Sequence, residues 1–207
     1  KKKAVRIGAI KLKDGECLTD HIAHLLFHIP YPRMAEYASV SIFRQEWRGL
    51  PRWRDIESEI GEEPLQRGLV DANEYLERDV AFGKKFSKTK QFQEAYNSKV
   101  KDSTTISRQV GNIYTGSLYL GLVSQAELHK LVPGERVCFS SYGSGCSALV
   151  FSGMVQPEVE SLPPGNILSH LSERKEISLK DYEMLHERRR AKSINSPSNY
   201  SHTQKLI

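Results

Sequence analysis

The sequence predicts an α/β fold: a sheet with covering helices and a helix buried on both sides. Two observations carry this. First, the segment Thr115–Leu131 is apolar on nearly every side, with Leu118, Tyr119, Leu120, Leu122, Val123 and Ala126, as expected of a helix buried on both faces. Its small residues Gly116, Ser117 and Gly121 permit close backbone packing. Second, this helix is followed by two strand-like runs, Arg136–Tyr142 and Ser147–Val155, joined by the glycine loop Gly143-Ser-Gly145.

The remaining elements follow in order. Ala4–Ile10 reads as a short strand closed by the Lys13-Asp14-Gly15-Glu16 turn. Leu18-Thr19-Asp20 caps a short helix, and Ile22–Phe27 reads as a buried strand or the end of that helix. Pro30 and Pro32 hold the residues before them extended. A helix starts near Pro32, with Met34, Tyr37, Ala38 and Ile42 at helical spacing. From Arg48 to Asp79, glycines, prolines and charges predict turns and short helices. Val80–Val100 reads as one solvent-facing helix with Phe82, Phe86, Phe92 and Tyr96 inward. A final helix, Ser178–Arg190, opens on the Ser178-Leu179-Lys180-Asp181 capping pattern. Residues 191–207 are polar and aperiodic, and are expected to be a disordered tail. The domain expected is therefore 1–190.

Composition narrows the function classes. The chain has 207 residues, 39% of them hydrophobic, and 30 basic against 25 acidic side chains for a formal charge of +5, an ordinary solvated surface. The Arg188-Arg189-Arg190 run shares its helix with Glu183 and Glu187 and has no aromatic platform, so it does not read as a nucleic-acid site. No stretch reaches the roughly 18 apolar residues of a membrane span. Cys17, Cys138 and Cys146 are odd in number and lack metal-ligand spacing, which suits a reduced, cytoplasmic setting. The chain begins at Lys1 and not at Met, which fits a fragment or a processed product.

Three places carry residues suited to chemistry. His28 stands between an apolar run and a proline bend, either as a hydrogen-bonded structural histidine or as an acid/base or donor group at a strand end. Asn112 sits at the mouth of the apolar helix, as a capping residue or as an amide donor to a carbonyl oxygen. The Gly143–Gly145 loop brackets Ser144. It is either a hairpin with glycine at positive φ or a place where backbone N–H groups closely approach a polarised oxygen.

Four motifs in order, His28-Ile-Pro-Tyr31, Glu77-Arg-Asp-Val80, Gly111-Asn-Ile-Tyr-Thr115 and Ser141-Tyr-Gly-Ser-Gly145, resemble the carboxy-terminal half of hydroxymethylglutaryl-CoA synthase. The resemblance runs from about Leu18 to Val155. It implies the carboxy-terminal half of a thiolase-like fold, in which two similar halves stack into five layers around a shared helical layer. The implied reaction is an acyl transfer that joins acetyl-CoA and acetoacetyl-CoA in the mevalonate pathway of isoprenoid synthesis. CoA thioesters are the substrates, no further cofactor is required, and a cytoplasmic homodimer is expected.

By motif, His28 resembles the histidine that polarises the acetoacetyl group, and Asn112 the asparagine that donates to the same substrate. Ser141 resembles the residue whose backbone N–H helps form the oxyanion hole. Arg33 stands where the family often has a lysine near the CoA phosphates, and Tyr114, Gly143 and Ser144 complete the substrate-binding set. The family's nucleophilic cysteine and catalytic glutamate belong to the amino-terminal half, which this sequence does not contain; Cys146 does not lie in the nucleophile's motif. That half is the expected partner, in the same or another chain. Two alternatives remain: a polyketide-pathway relative condensing acetyl groups onto carrier-protein substrates, and a non-catalytic CoA-thioester-binding partner subunit.

Overall fold

A computed structural model describes residues 10–64, 71–128, 131–143, 147–161 and 165–195, with backbone alone for 191–195. The expected strand Ala4–Ile10, residues 144–146 with Ser144, Gly145 and Cys146, and the tail beyond Asn195 lie outside the described residues or nearly so. The chain divides into two compact units, Lys1–Leu168 and Ser169–Ile207.

The first unit is built on a three-stranded mixed sheet. β1 (His24–Phe27) pairs in parallel with β2 (Arg136–Gly143), which pairs antiparallel with β3 (Ser147–Met154). Among the described residues, six α-helices run between β1 and β2: α1 (Arg33–Trp47), α2 (Pro51–Ile60), α3 (Ala72–Phe86), α4 (Lys90–Lys99), α5 (Thr105–Val110) and α6 (Gly116–Leu128). α7 (Ile167–Ser172) follows the sheet across the division between units, and α8 (Leu179–Asn195) lies in the second unit.

β1 is buried at every position, and its side chains alternate between two cores as strand geometry requires. Leu25 and Phe27 join the large core, where Phe43 and Trp47 of α1, Trp53 and Ile56 of α2, Phe82 and Phe86 of α3, and Phe92 of α4 pack together. Phe43 stacks on Trp47 with ring centres 4.9 Å apart, and Phe86 meets Phe92 edge-on at 5.4 Å. Leu26 faces the other way, against Leu118 of α6 and Val137 of β2. A strand covered on both faces reads as a continuous apolar run, which is why Ile22–Phe27 carries no alternation.

Several expectations shift. The segment expected as a single helix over Val80–Val100 is two, α3 and α4, because Thr89 caps α4 by accepting from Phe92 N while its own hydroxyl donates to Phe86 O. The stretch from Arg48 to Asp79, expected as turns and short helices, holds the ten-residue α2, with Pro51 at its first turn, and the start of α3, capped by Asp71. The last helix runs on to Asn195.

α6 is not buried all round. One side, at Ser117, Gly121 and Ser124, is closed against the chain: a Cβ at Gly121 would lie 3.3 Å from Ser103 O. Ser124 Oγ donates to Asp102 O at 2.5 Å and accepts from Ile106 N at 3.3 Å. Tyr119, Val123 and Leu128 are exposed, as is every residue of β3, including Leu149, Val150 and Phe151. Among the described residues, only one side of the helix is covered.

Candidate functional site

β1 and β2 run in the same direction, so their carboxy-terminal ends reach the same edge of the sheet. His28 follows β1 directly, and its N–H extends the parallel ladder by donating to Ser140 O at 2.8 Å. Continuing the alternation His24, Leu26, His28, its ring turns to the α6 side. There Ser117 Oγ lies 3.4 Å from His28 Nδ1, and the same oxygen accepts Ile29 N–H at 3.1 Å. The Tyr142 ring closes on the His28 ring edge-on, 5.1 Å between centres. Burial, with Tyr31 nearby, raises the Tyr142 phenol above its ordinary pKa, so that ring remains a neutral wall.

Asn112 lies in the turn that feeds α6. Its Oδ1 accepts Tyr114 N–H at 2.8 Å, the side-chain mimic of a backbone turn that asparagine forms well. This bond supports Tyr114 at φ +53°, the single positive-φ non-glycine position among the described residues. A bulky residue in that region is strained, and Tyr114 nevertheless stands exposed. The Asn112 Oδ1 is thus engaged in the turn, and Asn112 itself is exposed.

Ser141 occupies β2 opposite Leu149. Since Ser140 O faces β1, strand alternation turns the Ser141 N–H toward β3 and its side chain toward the His28 face. Ser141, whose backbone N–H is the expected oxyanion donor, thus sits within the β2–β3 pairing with that N–H toward β3. Gly143 closes β2 opposite Ser147 without positive φ, and a Cβ there meets open space. Its companion Ser144 lies outside the described residues. Arg33 opens α1, exposed, with its guanidinium 5.9 Å from the centre of the Tyr37 ring.

The structure thus brings His28, Ser141, Tyr142 and the approach to α6 to one edge. Ser117 is the member that the sequence did not single out for chemistry. It read as a small packing residue, and its fully buried hydroxyl contacts a histidine 89 residues away, beyond any local pattern. A cavity of about 800 Å³ lies elsewhere, along α6 and the sheet at Leu122, Val123, Phe139, Met154 and Val155. Cys17 and Cys138 are buried thiols whose pKa burial raises, which makes them poor nucleophiles. Among the described residues no group of side chains has the makings of a metal site, and no helix is long and apolar enough to cross a membrane.

Comparison with known proteins fits this geometry. The family model described as "Hydroxymethylglutaryl-coenzyme A synthase C terminal" matches residues 1–206. The hydroxymethylglutaryl-CoA synthase of Haloferax volcanii is 30% identical over 178 residues, 84% of this chain and 40% of that enzyme. That of Enterococcus faecalis is 40% identical over 95 residues, 45% of this chain and 25% of the enzyme. Among solved structures, MvaS in complex with 3-hydroxy-3-methylglutaryl coenzyme A aligns with a TM-score of 0.57 at 23% identity, over 89% of this chain and 38% of that one. The HMG synthase of the curacin pathway, in complex with apo donor-ACP, aligns at 0.55 and 20% identity, over 92% and 38%. The chain spans less than half the length of these relatives. With the mixed three-stranded sheet and its helices matching those structures, the chain belongs to the hydroxymethylglutaryl-CoA synthase C-terminal family, of the thiolase-like superfamily.

Proposed function

We propose that this chain is the acyl-CoA-binding part of a hydroxymethylglutaryl-CoA synthase that condenses acetyl-CoA with acetoacetyl-CoA. The observation that carries the reading is His28, held at the end of β1 by Ser117 on one side and Tyr142 on the other. A ring fixed in this way donates to a ketone oxygen without having to reorganise, which is the condition for electrostatic stabilisation of developing charge. Asn112 supplies a second, amide donor from the mouth of α6. Ser141 resembles by motif the residue whose backbone N–H helps form the oxyanion hole, with Gly143 and Ser144 in the same substrate-binding set. Arg33 and Tyr114 line the approach of CoA, Arg33 as the cation for its phosphates.

The nucleophilic cysteine and the general-acid glutamate come from an amino-terminal half in the same or another chain. The uncovered side of α6 supports a companion layer of that kind. A cytoplasmic homodimer in the mevalonate pathway follows from the family resemblance. A carrier-protein substrate is the second reading, favoured by 31% identity over 99 residues to the polyketide 3-hydroxy-3-methylglutaryl-ACP synthase PksG of Bacillus subtilis.

The test is His28→Ala in the enzyme assembled with its amino-terminal half. Loss of one hydrogen bond to the second substrate costs ~1–3 kcal/mol. Use of acetoacetyl-CoA should therefore fall about 10–100-fold, while labelled acetyl-CoA still acylates the nucleophile. Failure of acylation with unchanged acetoacetyl-CoA affinity would remove the role from His28. Running acetoacetyl-CoA against an acetoacetyl carrier protein separates the two substrate readings. This chain alone, given labelled acetyl-CoA, should form no stable acyl-protein.

A further inference from the structure

We infer that Ser117 is a positioning residue that sets the tautomer of His28, holding its proton on Nε2. The argument is a proton count at one buried oxygen. Ser117 is fully buried, and its Oγ accepts the Ile29 N–H at 3.1 Å. A hydroxyl carries one proton of its own, and burying that proton without an acceptor is costly. Among the described residues the acceptor within reach is His28 Nδ1, 3.4 Å away. The serine proton is therefore directed at Nδ1, which must be the unprotonated nitrogen of the neutral ring. Nε2 then carries the hydrogen and is the donor.

The same helix repeats the device two turns on. Ser124 Oγ accepts Ile106 N–H and donates to Asp102 O. In both cases a serine on the closed side of α6 takes a backbone N–H from the crossing chain and passes its own proton to a neighbouring acceptor. At Ser124 that acceptor is a carbonyl, and the bond only packs the helix. At Ser117 it is an imidazole nitrogen, so the same bond decides which nitrogen can donate. Histidine ring nitrogens are distinct groups, and the partner of one determines the state of the other. The consequence for catalysis rests on the proposed function: a donor on Nε2 can polarise a ketone oxygen, whereas an Nδ1–H tautomer would leave a lone pair there.

Ring nitrogens of 15N-histidine-labelled protein, assigned with His28→Gln and read where the ring is neutral, test this directly. Wild type should show Nδ1 unprotonated and Nε2 protonated. Ser117→Ala should raise the share of the Nδ1–H form relative to the Nε2–H form about fivefold, the effect of one hydrogen bond of ~1 kcal/mol. Ser124→Ala removes equivalent packing bonds and should leave the His28 signals as in wild type. A wild-type proton on Nδ1 overturns the inference even if Ser117→Ala does not fold, and so does a folded Ser117→Ala with unchanged signals. In the assembled enzyme, Ser117→Ala should lower kcat/KM for acetoacetyl-CoA and spare nucleophile acylation. A shifted tautomer with full acetoacetyl-CoA use leaves the inference standing and removes the proposed role of His28.

Discussion

Arg44 and Glu63 form a buried, doubly bonded ion pair, with Arg44 Nε 2.8 Å and Nη2 2.6 Å from Glu63 Oε1. The same guanidinium reaches Asp79 Oδ1 at 2.6 Å, and Arg48 adds two bonds to Glu63. Burial opposes the Arg44 charge, but its bonds to Asp79 and Glu63 outweigh that and raise its pKa. Removing Arg44 leaves the buried Glu63 carboxylate to Arg48 alone, so Arg44→Met should cost about 3 kcal/mol in denaturant unfolding. Adding Glu63→Met should recover part of that loss, because the buried carboxylate goes too.

Gly121 tests the fit of α6 against the 3-10 turn at Lys101–Thr104. The atom that a side chain there would meet first is a backbone oxygen, Ser103 O, which cannot swing aside as a side chain would. Gly121→Ala should destabilise by about 1–3 kcal/mol, the usual cost of overpacking, despite the better helix propensity of alanine. Gly153→Ala on β3 points into open space and should stay within about 0.5 kcal/mol of wild type. Equal effects at the two positions would refute the close approach.

Lys99 gives a pH dependence with a definite sign. Desolvation lowers its pKa, and its Nζ donates to Ile22 O at 2.6 Å. The folded state then releases the Lys99 proton at lower pH than the unfolded chain, whose lysine titrates near ~10.4. Between those two pKa values the unfolded state binds more protons, so stability from this group rises with pH. The raised thiol pKa values of Cys17 and Cys138 act oppositely above about 8.5; the Cys138 effect cancels against a Lys99 variant, while the Cys17 thiolate interacts with the Lys99 charge and its effect cancels only in part. Wild type should therefore gain stability relative to Lys99→Met as pH rises toward ~10.4, measured as the difference in denaturant midpoints. A pH-independent difference would show that Lys99 keeps an ordinary pKa.

Asn112→Asp separates the turn from the donor. The carboxylate can still accept Tyr114 N–H, so the melting temperature should be almost unchanged. The amide N–H donors are lost, and turnover of the assembled enzyme should fall about 10–100-fold. Unchanged turnover would leave Asn112 a turn residue only.

The fold class and the edge carrying the site were legible because they depend on local signals. The apolar run ending at His28, the turn at Asn112 and the paired strands around the glycine loop each announce themselves within a short stretch of chain. What was hidden depends on distance. Nothing near Thr89 separates α3 from α4 by period, since Phe82, Phe86, Phe92 and Tyr96 are buried in both readings. Glu63 looked like one charge in a charged stretch until Arg44 closed on it. The apolar circumference of α6 correctly signalled a packing helix but could not show that one side stays open among the described residues.

The parallel pairing of β1 with β2 also has a kinetic consequence. His28 and Ser117 are 89 residues apart in the chain, and β1 meets β2 only after the whole helical segment has been looped out. Loop closure of that length costs entropy before any contact rewards it, and such non-local pairings slow folding. Helices α1–α4 can gather their aromatic core from near neighbours, whereas the His28 edge exists only once three distant segments meet. A lesion in the helical layer therefore reaches the site through the order of assembly, even where it touches none of its residues.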